Sequence, residues 1–410
     1  MERARPAVVV NVGWAAGLSA VQALGRAEVP VWAVDHRPDS LGFRSRLVLE
    51  KHRSPWRLED EQGWLAFLRS VGDRLDAPAP IFPLDDDDLN AIARGRDVLG
   101  DRFLYPFPPW EALARLQDKR WQVERARAAG VPVPRTWREP GPDVEFPVLV
   151  KPAEAGDFRR RFGVKAFRCA NEAELAETWE RTAGHDALVW EWVPGGDETL
   201  YTLGAYVSRD GTPLGLFCGR KLLQDPVGVG NARVAEALWE DDVVEQGLEL
   251  LRALDFHGPA QVEFKRDPRD GAFKLIEVNP RLWQWHGLAE RCGVNLPLIA
   301  YRDLLGEKVE PVRMRPARPR WAITFKAGKR PTPQRPPYVD PLLPPDDPRV
   351  ALEHLRRVAA GSLPARWRRS SRSTSPTSSP GSAGSTSSPA PTSSSSSTAF
   401  SSPERAREPG

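Results

Sequence analysis

The chain has 410 residues, 40% apolar and 28% charged, with 41 prolines and three cysteines; that length predicts two or three packed units, and the thin apolar fraction predicts a part outside any core. The formal charge of +3 is unevenly spread: Ala365 to Gly410 holds six arginines against two acids, a surplus of four, which leaves the other 364 residues at −1. No nucleic-acid footprint is therefore expected, no run nears the ~20 apolar residues of a membrane span, and Cys169, Cys218 and Cys292 have neither disulfide-framework nor zinc spacing, which fits a reducing cytoplasm.

Ala7 to Val12 is a short β-branched run, followed by Gly13-Trp14-Ala15-Ala16-Gly17, a helical pattern to about Ala27, and a second strand from Val29 to Val34 that ends at Asp35. This order opens a doubly wound α/β unit. Arg3 and Arg5 imitate the start of an export signal, but Asn11, Ser19 and Gln22 interrupt the apolar stretch behind them. Gly13 and Gly17 lack the full dinucleotide fingerprint, so no nicotinamide site is expected. A helix over Trp64 to Leu75 and a strand over Ala79 to Pro83 follow. Asp85 to Asp88 then lead into a helical pattern at Leu89, Ile92 and Ala93, with acids at the positive end of the dipole. One helix is expected from Pro109 to Ala129.

From there the pattern becomes α+β. Strands are predicted over Phe146 to Pro152, Ala187 to Val193, Thr199 to Ser208 and Pro213 to Arg220, and helices over Glu172 to Thr182 and Asp241 to Leu254. Gln261 to Arg266 and Ala272 to Val278 should form a hairpin. A helix over Leu296 to Leu305 follows, then a strand over Trp321 to Phe325 and a helix over Val350 to Ala359 within proline-rich sequence. Seventeen of the 33 residues from Ser370 to Ser402 are serine, a composition that cannot bury a core and predicts disorder.

The hairpin carries the most chemistry. Glu263 and Glu277 are equidistant from Asp270 and should stand opposite one another, while Glu277 and Asn279 share a face. Opposed like charges destabilise a strand pair unless something neutralises them. Two carboxylates and an amide carbonyl suit Mg²⁺ or Mn²⁺, although spacing alone leaves a solvent-facing pair open. Phe273 and Leu275 are expected on the glutamate face, which argues against bare exposure. Lys151, emerging from Val148-Leu149-Val150, either offers a point charge to a phosphate or reaches water. Glu191-Trp192-Val193-Pro194-Gly195-Gly196-Asp197-Glu198 is a strand stopped by a turn, with free backbone groups for a base edge and a carboxylate for a ribose.

In this order, Asp118-Lys119, Pro147 to Pro152, Glu191 to Gly195 and Glu277-Val278-Asn279-Pro280-Arg281 resemble the ATP-grasp superfamily over about residues 5–310, in particular carboxylate–amine ligases of the D-aspartate ligase kind. The resemblance implies a Rossmann-like N-terminal domain at 1–108 and a two-lobed ATP-grasp domain at 109–310. Within the latter, a small lid lobe would span about 134–193 and a larger metal-binding lobe about 194–310. A proline-rich extension at 311–364 and a disordered tail at 365–410 would follow. It further implies ATP as nucleotide, with Lys119 and Lys151 on its phosphates, Glu191, Trp192 and Val193 at adenine, and Glu198 on the ribose. Mg²⁺ would sit on Glu263, Glu277 and Asn279, with Arg281 and Lys221 as catalytic candidates, Arg281 facing the transferred phosphoryl group and Lys221 making a further phosphate contact. The implied reaction joins a small carboxylate to an amine through an acyl phosphate. A nucleotide-binding regulator, or an enzyme of carbamate or bicarbonate chemistry, would use the same scaffold.

Two features depart from or extend the pattern. The loop from Asp157 to Gly163 carries three arginines where relatives are rich in glycine and serine, and reads as a solvated loop or a charged lid. Trp283 and Trp285 either line the substrate pocket or pack in the core, and His286 is expected to be a structural hydrogen-bonder rather than a base.

Overall fold

The computed structural model describes residues 4–153, 158, 161–228, 230–316, 318–326, 329, 332 and 338–362. The serine-rich tail and Asp157, Arg159 and Arg160 of the arginine-rich loop lie outside the described residues. The first sheet is parallel, with strands β1 (Ala7–Val10), β2 (Val31–Asp35), β3 (Val48–Arg53), β4 (Ala79–Pro83) and β5 (Phe103–Leu104) in the order β3-β2-β1-β4-β5. Between them run α1 (Ala15–Gly25), α2 (Glu61–Gly72), α3 (Asp86–Arg94) and α4 (Arg96–Leu99).

Alternation along β1 splits the packing. Ala7 and Val9 join α1 in one core, whereas Val8 and Val10 join Trp64 and Leu68 of α2 and Ile92 of α3 in another. Strand order reverses around β1, so the crevice past the carboxyl ends of β1 and β4 is the expected ligand position for such a sheet. Asn11 and Asp85 stand there. Gly17 fits because a Cβ would lie 2.3 Å from the Asn11 carbonyl oxygen, so α1 can start only against a bare backbone. Asp35 accepts from Arg37 and Ser40 within its own loop, which occupies the carboxylate a dinucleotide ribose would need.

The helix expected from Pro109 to Ala129 is two helices, α5 (Trp110–Gln117) and α6 (Lys119–Ala128). Asp118 breaks them: its extended backbone ends the first, and its carboxylate accepts the Arg120 N–H to cap the second. That break places Lys119 at the first residue of a helix. The second sheet has the order β6 (Thr136–Trp137), β9 (Ala187–Glu191), β7 (Val148–Pro152), β8 (Phe167–Cys169), all antiparallel, with α7 (Glu172–Arg181) beside it. Val148, Val150, Cys169, Leu175 and Val189 form its small core.

The third sheet holds β10 (Leu200–Val207), β11 (Pro213–Asp225), β12 (Asn231–Ala237), β13 (Gly258–Arg266), β14 (Phe273–Asn279), β15 (Val312–Arg313), β16 (Arg320–Ala322) and β17 (Tyr338–Val339). Their order is β14-β13-β10-β11-β12-β16-β17, with β15 alongside β11. Helices α8 (Asp241–Ala253), α9 (Gly287–Arg291), α10 (Leu296–Leu304) and α11 (Pro348–Ser362) complete it. The proline-rich segment is thus part of the fold: Trp321 is fully buried, and Leu342 and Val350 share the main core with α1. Asp347 accepts from Ser45 at 2.5 Å and Asp346 from Arg26 at 2.7 Å, tying this segment to the first sheet's loops.

Candidate active site

A cavity of about 720 Å³ runs from the small sheet across the face of the large one to the carboxyl ends of β1 and β4. Such a volume lies in the range of small-molecule sites. It is lined by Lys119, Lys151, Glu191, Trp192, Val193, Lys221, Glu263, Glu277, Asn279 and Arg281, ten of the eleven residues singled out from the sequence. Glu198 is the exception. It is exposed on the turn before β10 and absent from the lining, while its neighbour Asp197 is buried, accepting the N–H groups of Gln224 and Gly228.

Glu263 and Glu277 are register partners, as counting from Asp270 predicts, and Gln261 pairs with Asn279 one step along the same face. The apolar partners differ from expectation. A bulge shifts the register so that Phe264 meets Leu275, with Ile276 left over. Phe273 and Leu275 therefore turn into the core, while Ile276 and Lys265 line the cavity on the glutamate side. The glutamate face is more polar than the sequence suggests.

Cations surround the two carboxylates. Lys221 Nζ lies 2.6 Å from Glu263 Oε1, and Asn279 Nδ2 donates to Glu277 Oε1 at 3.1 Å. Burial would raise the Glu277 carboxyl, but Lys165, Lys119 and Lys151 outweigh it and hold the group well below the usual carboxylate range. Burial pushes Lys151 down to about 8, against the pull of Glu277. Its ammonium also sits 4.5 Å from the Trp190 ring. Lys119 Nζ is 3.4 Å from the Ala153 carbonyl oxygen, beneath the end of β7. Lys165, which donates to Asn231 Oδ1 at 3.0 Å, and Lys265, 4.8 Å from the Trp192 ring, add two further cations.

The carboxylate of Glu191 is engaged away from any base: Arg269 and Lys274 pair with it, and the Arg135 N–H donates to it at 2.9 Å. Burial would raise this carboxyl, but those donors hold it below its ordinary value. What the Glu191 to Val193 stretch can offer a ligand is therefore backbone.

At the other end, Arg281 is gripped by Asp86 through two hydrogen bonds, Nε to Oδ1 at 2.7 Å and Nη2 to Oδ2 at 2.8 Å. Burial works against the guanidinium, yet Asp86 keeps it firmly charged. Trp283 and Trp285 line this end while remaining almost wholly buried, so they serve cavity and core at once. His286 is structural: Nε2 lies 3.1 Å from the Ala16 carbonyl oxygen, and burial lowers the ring to about 4.

Sequence reasoning missed Asp86, Lys165, Lys265 and Gln261. Asp86 was visible only as a helix-start acid, and Lys165 stands in no motif. Among the described residues, no three His, Cys, Asp or Glu side chains gather as a metal cluster. The hairpin offers instead two opposed carboxylates, Glu263 buried and Glu277 half-buried, and an amide, hard oxygen donors whose charge an ammonium already partly neutralises. That donor set fits a divalent cation.

The family described as carbamoyl-phosphate synthase L chain, ATP binding domain, matches residues 224–310, the segment holding Glu263 to Arg281. D-aspartate ligase of Enterococcus faecium is 25% identical over 237 residues, covering 53% of this chain and 56% of that one. The chain thus spans about half of that relative's length. Among solved structures, biotin carboxylase of Campylobacter jejuni superposes with a TM-score of 0.59 at 16% identity, covering 74% of this chain and 72% of that one. The L-amino acid ligase of Bacillus licheniformis does so with a TM-score of 0.54 at 18% identity, covering 74% and 75%. Among the described residues, no helix is long and apolar enough to cross a membrane. The chain thus shares its fold with these solved structures, and its segment 224–310 is similar to the ATP-binding domain of carbamoyl-phosphate synthase.

Proposed function

We propose that the protein is an ATP- and Mg²⁺-dependent ligase that joins a small carboxylate to an amine through an acyl-phosphate intermediate. The observation that carries this reading is the continuous cavity in which Lys119, Lys151, Lys165, Lys221 and Lys265 surround an opposed glutamate pair, with Arg281 beyond them. So dense a cationic lining suits a polyphosphate, and a similar relative acts as a D-aspartate ligase. Lys119 and Lys151 would hold the inner phosphates, and the backbone of Glu191 to Val193 would meet the adenine edge. The ribose partner is open, because Glu198 lies outside the lining.

Glu263, Glu277 and Asn279 would hold Mg²⁺, which when bound screens the terminal phosphates and polarises the transferred group. An anionic carboxylate must approach an anionic γ-phosphate, so the chain's task is chiefly alignment and charge neutralisation. Arg281, fixed by Asp86 and lining the cavity, would bind the acid and then the acyl phosphate at the reacting end. Attack of the carboxylate oxygen on phosphorus releases ADP. The amine then adds to the acyl carbon, loses a proton, and expels phosphate to leave the amide.

A screen of carboxylates, each with an amine mixture, should reveal amine-dependent ADP release and an amide product by mass spectrometry. Glu277→Ala should abolish Mg²⁺-dependent ATP binding. Unchanged nucleotide affinity in that variant would overturn the site assignment.

A further inference from the structure

We infer that Lys221 is a resident counter-ion of the metal site, neutralising Glu263 until a divalent cation displaces it and frees its ammonium for the nucleotide phosphates. This rests on the reading of Glu263, Glu277 and Asn279 as metal ligands. Lys221 and Glu263 are 7% and 6% exposed, and their charged atoms are 2.6 Å apart. The lysine reaches its partner from β11 across β10, whose Thr202 is the register neighbour of Glu263. Gln261 Nε2 donates to the same oxygen, Glu263 Oε1, at 3.1 Å. A cation approaching that oxygen must therefore replace an ammonium, and the ammonium must find another anion.

Both requirements are met only when metal and polyphosphate arrive together. Metal alone competes with Lys221 for Glu263 and would strand the lysine in a buried, cation-rich wall. With a polyphosphate present, the lysine moves to an anion as the metal takes the glutamate. Metal and nucleotide then assist one another, and by linkage each raises the other's affinity equally. The long, flexible lysine stem makes such an exchange feasible without backbone movement.

The test measures Mn²⁺ binding by electron paramagnetic resonance and calorimetry, and thermal stability with Mn²⁺ alone, for the whole chain. Lys221→Met should bind Mn²⁺ alone about tenfold more tightly than the unaltered protein and gain thermal stability from it. Lys221→Arg, which keeps the charge, should show neither gain. If Lys221→Met does not fold by circular dichroism, Lys221→Gln, whose amide still donates to Glu263, is read the same way. Equal or weaker Mn²⁺ binding by the neutral variant overturns the role of Lys221. Absence of Mn²⁺ binding by the unaltered protein even with a non-hydrolysable ATP analogue would instead overturn the metal-site reading beneath it.

Discussion

The glutamates of the β13–β14 hairpin and Asp85 to Asp87 at the start of α3 border the same cavity, with Asp88 just behind, yet the two clusters sit in opposite electrostatic surroundings. Glu277 has three lysines acting on it and is held well below the ordinary carboxylate range. Asp88 has one arginine, Arg57 at 2.9 Å, and burial with the neighbouring Asp85 pushes it up to about 8. Asp85 is likewise raised by burial, even though it accepts from Asn11 and from the Asp88 N–H. One cluster carries a surplus of cations, the other a deficit. A surplus around a carboxylate pair suits an added anion, as the proposed polyphosphate would be. The deficit at α3 has a different use: Asp86 has charge to spare for Arg281, just past β14. The acids thus position a cation at the junction where the two clusters meet.

Separating the two members of that junction should have the largest effect. Arg281→Lys removes the planar fork and should lower kcat for acyl transfer about 100- to 1,000-fold, as for loss of a transition-state charge partner. Asp86→Asn leaves Arg281 in place with one good bond in place of two. It should cost about tenfold in kcat with little change in the KM for ATP, because the misplacement falls at the reacting end. Equal losses in KM for ATP would mean that Arg281 belongs to the nucleotide side instead.

The cationic cluster is open to pH. Lys151 lies near 8 in the free protein because burial outweighs the attraction of Glu277. As pH rises through 8 its ammonium is lost, and at pH 9 about tenfold less of the protein has it charged. The kcat/KM for ATP should therefore fall above pH 8, while kcat, which reports the complex, should hold to higher pH because bound phosphate retains the proton. Lys151→Arg should flatten the fall in kcat/KM. A fall that persists in that variant would assign the titration to another group.

How much of this was legible in the sequence follows the range of each interaction. The Glu263–Glu277 pairing could be counted from the turn at Asp270, because a hairpin register is local. The bulge at Ile276 could not, since both registers keep apolar and polar residues alternating. Strand β3 carries Leu49, Glu50, Lys51 and His52, an edge strand with little apolar pattern, and β12 begins Asn-Ala-Arg, without the branched run that marks a strand. The Arg281–Asp86 pair joins positions 195 apart in sequence, one just past β14 and the other at the start of α3. Nothing local distinguishes Asp86 from its three neighbours. The break at Asp118 is the reverse case, a capping residue present in the sequence but hidden by the apolar pattern on either side of it.

The α3 cluster offers the smallest effect and the clearest sign. Asp88 is about 8 in the folded chain and near the ordinary aspartate value when unfolded, so between those values the folded protein holds the extra proton. Stability then falls as pH rises, with the contribution fully present below about 4 and lost through 8. Asp88→Asn should remove this slope, because the amide mimics the protonated acid and Arg57 still has Glu61 and Asp87 within 3.5 Å. In thermal unfolding between pH 5 and pH 8, the variant should decline by roughly 2–4 °C less than the unaltered chain. Were the variant to decline more steeply, Asp88 would be ionised throughout and the deficit at α3 would be apparent only. The contrast with the hairpin sharpens here. Glu277→Gln should change the low-pH limb instead, since a carboxyl held low contributes stability that is lost as pH falls through its folded value. Two carboxylates in opposite surroundings would then bend the same stability profile at opposite ends.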